Sequence, residues 1–135
     1  MISLTAEHAL RAVVFLAEHP GSSHTVDRIA QDTGIPAGSL AKVLQQLCRA
    51  GMVSSQRGPH GGFVLSRSAQ ALTFMEVIIA ADGPRPSGRH GTATRDALGR
   101  RLDDTRSQIE ATYRSTTIAQ FLREQDSTTT TAPTP

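Results

Sequence analysis

The residues of this chain best suited to chemistry are cations beside a glycine-rich turn. In Gln56-Arg57-Gly58-Pro59-His60-Gly61-Gly62 an arginine precedes three glycines and a proline. Glycine tolerates positive φ and close backbone approach, and proline presets φ, so the segment predicts a tight, outward-reaching tip. Arg57 at such a tip is placed to meet an anion. Gly58 and Gly61 let the backbone come near it, and His60, if protonated, adds charge. From Thr33 to Met75 there is no Asp or Glu, whereas Lys42, Arg49, Arg57 and Arg67 fall inside that window. A local excess of this kind points to a polyanionic partner, although charge alone is equally compatible with a solvated face.

The elements that must position these groups follow from periodicity. Residues 5 to 19 predict a first core helix through Ala9, Leu10, Val13, Val14, Leu16 and Ala17, ended by Pro20-Gly21-Ser22-Ser23. Thr25 caps a short second helix, with Asp27 in its first turn, Val26, Ile29 and Ala30 facing inward and Gly34 as terminator. A third helix runs from Ala37–Ser39 to Ala50. Leu40, Val43, Leu44, Leu47 and Cys48 form its apolar stripe, and Ala41, Lys42, Gln45, Gln46 and Arg49 its acid-free outer face. Short helix, tight turn and amphipathic helix together spell a helix-turn-helix. Two short strands, 52–56 and 63–67, then flank the glycine-rich tip. The expected fold is mainly α: a winged helix-turn-helix with a β-hairpin wing and a long C-terminal dimerisation helix.

Beyond the wing, Thr73-Phe74-Met75-Glu76 is a capping box for a fourth helix reaching about Ala81, with Met75, Val77, Ile78 and Ile79 as its apolar side. Residues 83–95 have almost nothing to bury and predict a flexible, effector-type loop. A long helix follows from about Asp96 to Arg114. Leu98, Leu102, Thr105, Ile109 and Thr112 alternate four and three apart along it, a weak coiled-coil seam that a second copy of the chain would cover. The rival arrangement folds this helix back on its own domain. A second capping box, Thr117 to Gln120, opens a short docking helix with Phe121 and Leu122, and 127–135 reads as a disordered polar tail. The expected organisation is a DNA-binding domain over 1–82, the loop 83–95, dimerisation and docking helices over 96–126, and the tail.

Composition narrows the classes further. Cys48 is the only cysteine, which excludes an internal disulfide. No apolar run approaches the roughly 18 residues of a membrane span, and the N-terminal apolar stretch lacks the basic start and cleavage site of a leader. A cytoplasmic protein without membrane partners is expected. There is no Ser/His/Asp arrangement, no GxxxxGK loop and no metal-ligand spacing, and the wing glycines do not open a helix. An enzyme is therefore not expected. Cys48 reads as a small core residue, and a redox-sensing thiol is the rival reading.

A helix of about 10–12 Å diameter fits a DNA major groove, and a narrow minor groove attracts arginine. The predicted geometry puts the third helix in the first and the wing's Arg57 in the second. MISLTAEHALRAVVFLAEHP, IAQDTGIPAGSLAKVLQQLCRAGMVSSQRGPHGGFVLSR, LTFMEVIIAADGP and STTIAQF resemble the Rrf-two family of bacterial transcription regulators, strongly over residues 1 to 83. The resemblance implies a winged helix carried on a dimerising helix and operator binding, usually as a repressor. It also implies base reading from the start of the third helix, at positions occupied here by Gly38, Ser39, Ala41 and Lys42, with Arg57 as the wing arginine. Gly38 and Ala41 carry no hydrogen-bonding side chain, so readout leans on Ser39 and Lys42, with Gln45 reaching base or phosphate. Arg28 and Arg49 complete the expected DNA contacts alongside Gly58, His60 and Gly61.

Many members of that family hold an iron–sulfur cluster through three cysteines between the fourth and long helices. Residues 84–102 here contain none, so no cofactor and no metal site are expected. Glu7 lies near where some relatives supply a non-cysteine ligand, and His90 reads as a solvent-exposed loop residue. The functional expectation is a homodimeric, sequence-specific regulator that binds a double-stranded DNA operator and responds to an unidentified effector. The competing expectation is a winged-helix interaction module that docks a metabolic enzyme through the loop 83–95.

Overall fold

The computed structural model of the chain describes residues 2–83 and 96–130. The predicted loop 83–95 lies, apart from Gly83, outside the described residues, as do His90 and the last five positions of the predicted tail.

Helix α1 (Leu4–Glu18) starts where the Ala6 N–H donates to the Ser3 hydroxyl at 3.0 Å. It buries Ala6, Ala9, Ala12, Val13, Phe15 and Leu16. Its small residues let it pack closely against several neighbours. Helix α2 (Val26–Thr33) is capped by Thr25 and closed by Gly34 in the left-handed conformation, φ +77°. Helix α3 (Ala37–Arg49) buries Leu40, Val43, Leu44 and Leu47, the stripe expected from spacing. Cys48, on the flank of that stripe, is half-buried.

Strands β1 (Val53–Gln56) and β2 (Gly62–Leu65) form an antiparallel hairpin with Val53 opposite Leu65 and Gln56 opposite Gly62. Helix α4 (Phe74–Asp82) opens with the complete capping box: the Glu76 N–H donates to the Thr73 hydroxyl, and the Thr73 N–H donates to the Glu76 carboxylate. Met75, Val77 and Ile78 are buried, whereas Ile79, expected on the same apolar side, is 38% exposed.

Helix α5 (Ala97–Ser115) is different in kind. Asp96 caps it, yet none of its residues is buried. It touches α4, packs Tyr113 of its last turn against the core, and leaves Leu98 and Leu102 65% and 55% exposed. Helix α6 (Ile118–Thr130) then returns to α1, and fully buried Ile118 joins the same core as Val13, Leu44 and Ile78. The return is fixed by backbone pairing: the Phe74 N–H donates to the Thr116 carbonyl and the Ile118 N–H to the Leu72 carbonyl, each at 2.9 Å. Helix α6 runs to Thr130, past the expected start of the tail at 127. Extending a helix already nucleated by Thr117 costs far less than starting one, so polar residues can prolong it.

Candidate nucleic-acid interface

Helix α3 carries the first half of the site. Thirteen residues give it a length of about 20 Å. Its N-cap is Pro36, which offers no side-chain cap, so the amide groups at its start are left to an outside acceptor. Ala37, Gly38 and Ser39 there are exposed. Lys42, Gln45 and Arg49 follow along the outer face, all exposed, and Arg28 is exposed on α2. Among the described residues none of these four side chains has an ion pair or hydrogen bond within the chain.

The wing carries the second half. Arg57 follows directly on β1, exposed and likewise without a partner among the described residues. The cationic window read from the sequence is not uniform in space. The Arg67 guanidinium is 3.3 Å from the Glu76 carboxylate and donates to the Ala71 carbonyl. It is spent on holding the strand exit to α4, which leaves Arg57, Lys42 and Arg49 as the window's unpaired cations.

The tip is more firmly held than a two-stranded hairpin suggests. The Gly61 N–H donates to the Gly58 carbonyl at 2.9 Å, and Gly58 sits at φ +109°. A Cβ on Gly61 would lie 2.6 Å from the Gln56 carbonyl oxygen, so the turn closes only with glycine there. On the other edge of β2, His24 pairs with Phe63 through both backbone bonds, at 3.1 and 2.7 Å. Gly62 lies so close that a Cβ would come within 2.5 Å of the His24 backbone. The Ser23 hydroxyl donates to the His60 carbonyl. Ser23 and His24, in the α1–α2 connection, thus fasten the wing to the base of the helix-turn-helix. Sequence reasoning missed both residues. The double glycine signalled a close approach, but not which distant segment approaches.

Behind the wing, the rings of Phe15, His19 and His24 pack on one another with centroids 4.4 to 5.4 Å apart. This packing fixes His24, and through it the strand that carries the tip. Of the predicted contact residues, Gly58, His60 and Gly61 share the tip with Arg57, and Ser39, Lys42, Gln45 and Arg49 share α3.

The profile of the Rrf2 family, described as iron-dependent transcriptional regulators, matches residues 2–124. The chain belongs to the Rrf2 family. Its fold is that of Rrf2 regulators, a winged helix-turn-helix with a long C-terminal helix, and the family is one of transcriptional regulators and not of enzymes.

It is similar to CymR, the global cysteine regulator of B. subtilis, with a TM-score of 0.78 and 25% identity over 90% of this chain and 95% of that one. The fold is shared with IscR of T. potens, TM-score 0.79 at 22% identity, over 100% and 93% of the two chains. Among curated proteins, one described as an HTH-type transcriptional regulator of Aquifex aeolicus is 36% identical over 78 residues, 58% of this chain and 54% of that protein. A Mycobacterium tuberculosis relative with the same description is 36% identical over 89 residues, 65% and 55% of the two chains. The chain therefore spans about half the length of these curated relatives.

The iron of the family's description does not fit the donors present. Thiolates are the usual ligands of iron–sulfur clusters, and the one thiol of the chain belongs to Cys48 on α3. Burial pushes its pKa up, which disfavours the thiolate a metal needs. Among the described residues no three His, Cys, Asp or Glu side chains converge into a metal-binding group. Among those residues, too, no helix is long and apolar enough to cross a membrane.

Proposed function

We propose that the chain is a homodimeric, sequence-specific DNA-binding regulator, acting in the cytoplasm as a repressor by occupying its operator. Helix α3 enters the major groove with Ser39, Lys42 and Gln45 toward base edges and Arg49 and Arg28 toward phosphates. The wing lays Arg57 into the neighbouring minor groove. Gly38 and Ala41 leave two base-facing positions without hydrogen-bonding groups, so minor-groove width read by Arg57 carries much of the specificity.

The observation that carries this reading is the state of Arg57. It is an unpaired cation on a tip braced by Gly61, by the His24–Phe63 pairing and by Ser23, in a chain whose third helix carries no acidic residue. A stiff support spares the cost of ordering the backbone, so only the side chain's own rotamer freedom is lost when the guanidinium meets a phosphate-lined groove. The dimer is supported by α5. Leu98, Leu102 and Ile109 stay exposed along it, while the hydroxyls of Thr105 and Thr112 donate to carbonyls of their own helix, at 3.0 and 3.1 Å. Those two seam positions can be covered without stranding a donor, so a second α5 fits the stripe.

The test is binding to duplex DNA selected from a random pool, measured across salt concentrations. A steep loss of affinity with salt is expected, and Arg57→Ala, which removes one cation from each half of the dimer, should reduce the slope by about two. Affinity independent of salt would rule the mechanism out.

A further inference from the structure

A cavity of about 360 Å³ opens between α1, the end of α2, the start of α4 and α6. Its volume falls in the range of roughly 300–1,000 Å³ typical of small-molecule sites. The lining is divided. Val14, Phe74 and Phe121 supply an apolar wall, with the two phenyl rings tilted at 58° and their centroids 5.9 Å apart. Glu18 and Asp32 supply the rim.

We propose that this cavity binds a small organic cation with an apolar body, such as an aromatic or quaternary amine. Arg11 also lines it, but Glu7 lies beside it, N to O 3.9 Å, and with Glu18 and Asp32 the carboxylates of the lining outnumber its one guanidinium, which disfavours an anion. Glu18 and Asp32 have neither an ion pair nor a hydrogen bond from any side chain among the described residues. Two uncompensated carboxylates sharing a cavity with two half-buried aromatic rings favour a cation twice over: by Coulomb attraction, and by the negative face a ring offers a cation. A neutral apolar ligand would gain only the wall, and an anion would meet repulsion at the rim.

Position gives the site its consequence. Asp32 neighbours Thr33, whose hydroxyl donates to the Ile29 carbonyl and accepts from the Ile35 N–H, closing α2 and setting the turn into α3. Phe121 belongs to α6, which follows the exposed α5 arm. A ligand here touches the end of α2, just before the turn into the reading helix α3, and the α6 segment that anchors the arm, the two places through which an effector acts on DNA binding. That consequence rests on the DNA-binding reading, whereas occupancy of the cavity does not.

Calorimetric titration of the full chain with benzyltrimethylammonium tests it, with phenylacetate as the anionic counterpart of similar size. Saturable binding of one cation per chain is expected, and phenylacetate should give no saturable signal. Glu18→Gln with Asp32→Asn should weaken the cation at least tenfold. Both side chains are exposed, so circular dichroism of this variant should match the parent. Phe121→Leu, which keeps an apolar side chain but removes the ring, should weaken it severalfold. Arg57→Ala should leave it unchanged, so loss of DNA binding and loss of ligand binding are separable. Absence of saturation, as when the cavity is covered by a second copy of the chain, would overturn the proposal. Equal binding in the acid-to-amide variant, or equal binding of phenylacetate, would do the same.

Discussion

Helices α3 and α5 are both amphipathic, but only one has its apolar face covered. Leu40, Leu44 and Leu47 of α3 are fully buried against a core shared by α1, α4 and α6. Leu98 and Leu102 of α5 stand more than half exposed, and α5 contributes no buried residue. The first helix presents a finished outer face of fixed geometry, suited to reading another molecule. The second presents an unfinished one, suited to being completed by a copy of itself. In the proposed reading the same kind of apolar spacing serves two ends, and the difference lies in what the rest of the chain brings to each stripe.

That contrast can be broken most directly at α5. Leu102→Glu should leave the helix content of the chain intact while converting the proposed dimer to monomers in sedimentation experiments. Losing the second half-site contact should lower operator affinity at least about a hundredfold. A variant that remains dimeric would place the interface elsewhere. On the other side of the comparison, Leu44→Ala should destabilise the fold by about 2–5 kcal/mol in chemical denaturation, because it opens a cavity in a closed core. Leu98→Ala should show a destabilisation that depends on protein concentration, since the chain itself leaves that side chain 65% exposed and the proposed dimer would cover it.

The wing sharpens the comparison within the reading half. Gly62→Ala forces a Cβ against His24 and should cost about 1–3 kcal/mol of stability while freeing the tip. DNA affinity should fall more than for Arg57→Ala, which removes the guanidinium and leaves the brace. Equal losses would mean that stiffness of the tip is irrelevant. Thermal denaturation should separate the two, since Arg57→Ala leaves the midpoint of unfolding where it was.

The smallest effect concerns Cys48, whose pKa lies above the ordinary 9.0 because burial penalises the thiolate. The neutral thiol is the form the fold accepts, so this contribution is complete below the unfolded-state value. It is lost as pH climbs through the raised folded-state value. Stability should decline slightly at alkaline pH relative to Cys48→Ala, and alkylation at neutral pH should be slower than for free cysteine. Rapid alkylation would restore the redox-sensing reading.

Local signals were legible wherever the physics is local. The Thr73–Glu76 capping box, the Thr25 and Gly34 boundaries of α2 and the Leu40–Leu47 stripe each act within one or two turns of chain, and each is found where expected. Arg57 and the glycine tip were visible for the same reason. Three features were not: the pairing of Arg67 with Glu76 across the turn before α4, the brace from Ser23 and His24, and the meeting of Phe74 with Phe121 over the cavity.

The sequence by itself determined which segments are helical, which face of each is apolar and where an acid-free cationic surface begins and ends. Those properties follow from spacing along one chain. Only the tertiary structure decided which cations remain unpaired, which glycines are indispensable and which apolar stripe is left bare. Ion pairing, steric approach and burial depend on distances between residues far apart in sequence, and folding alone sets those distances.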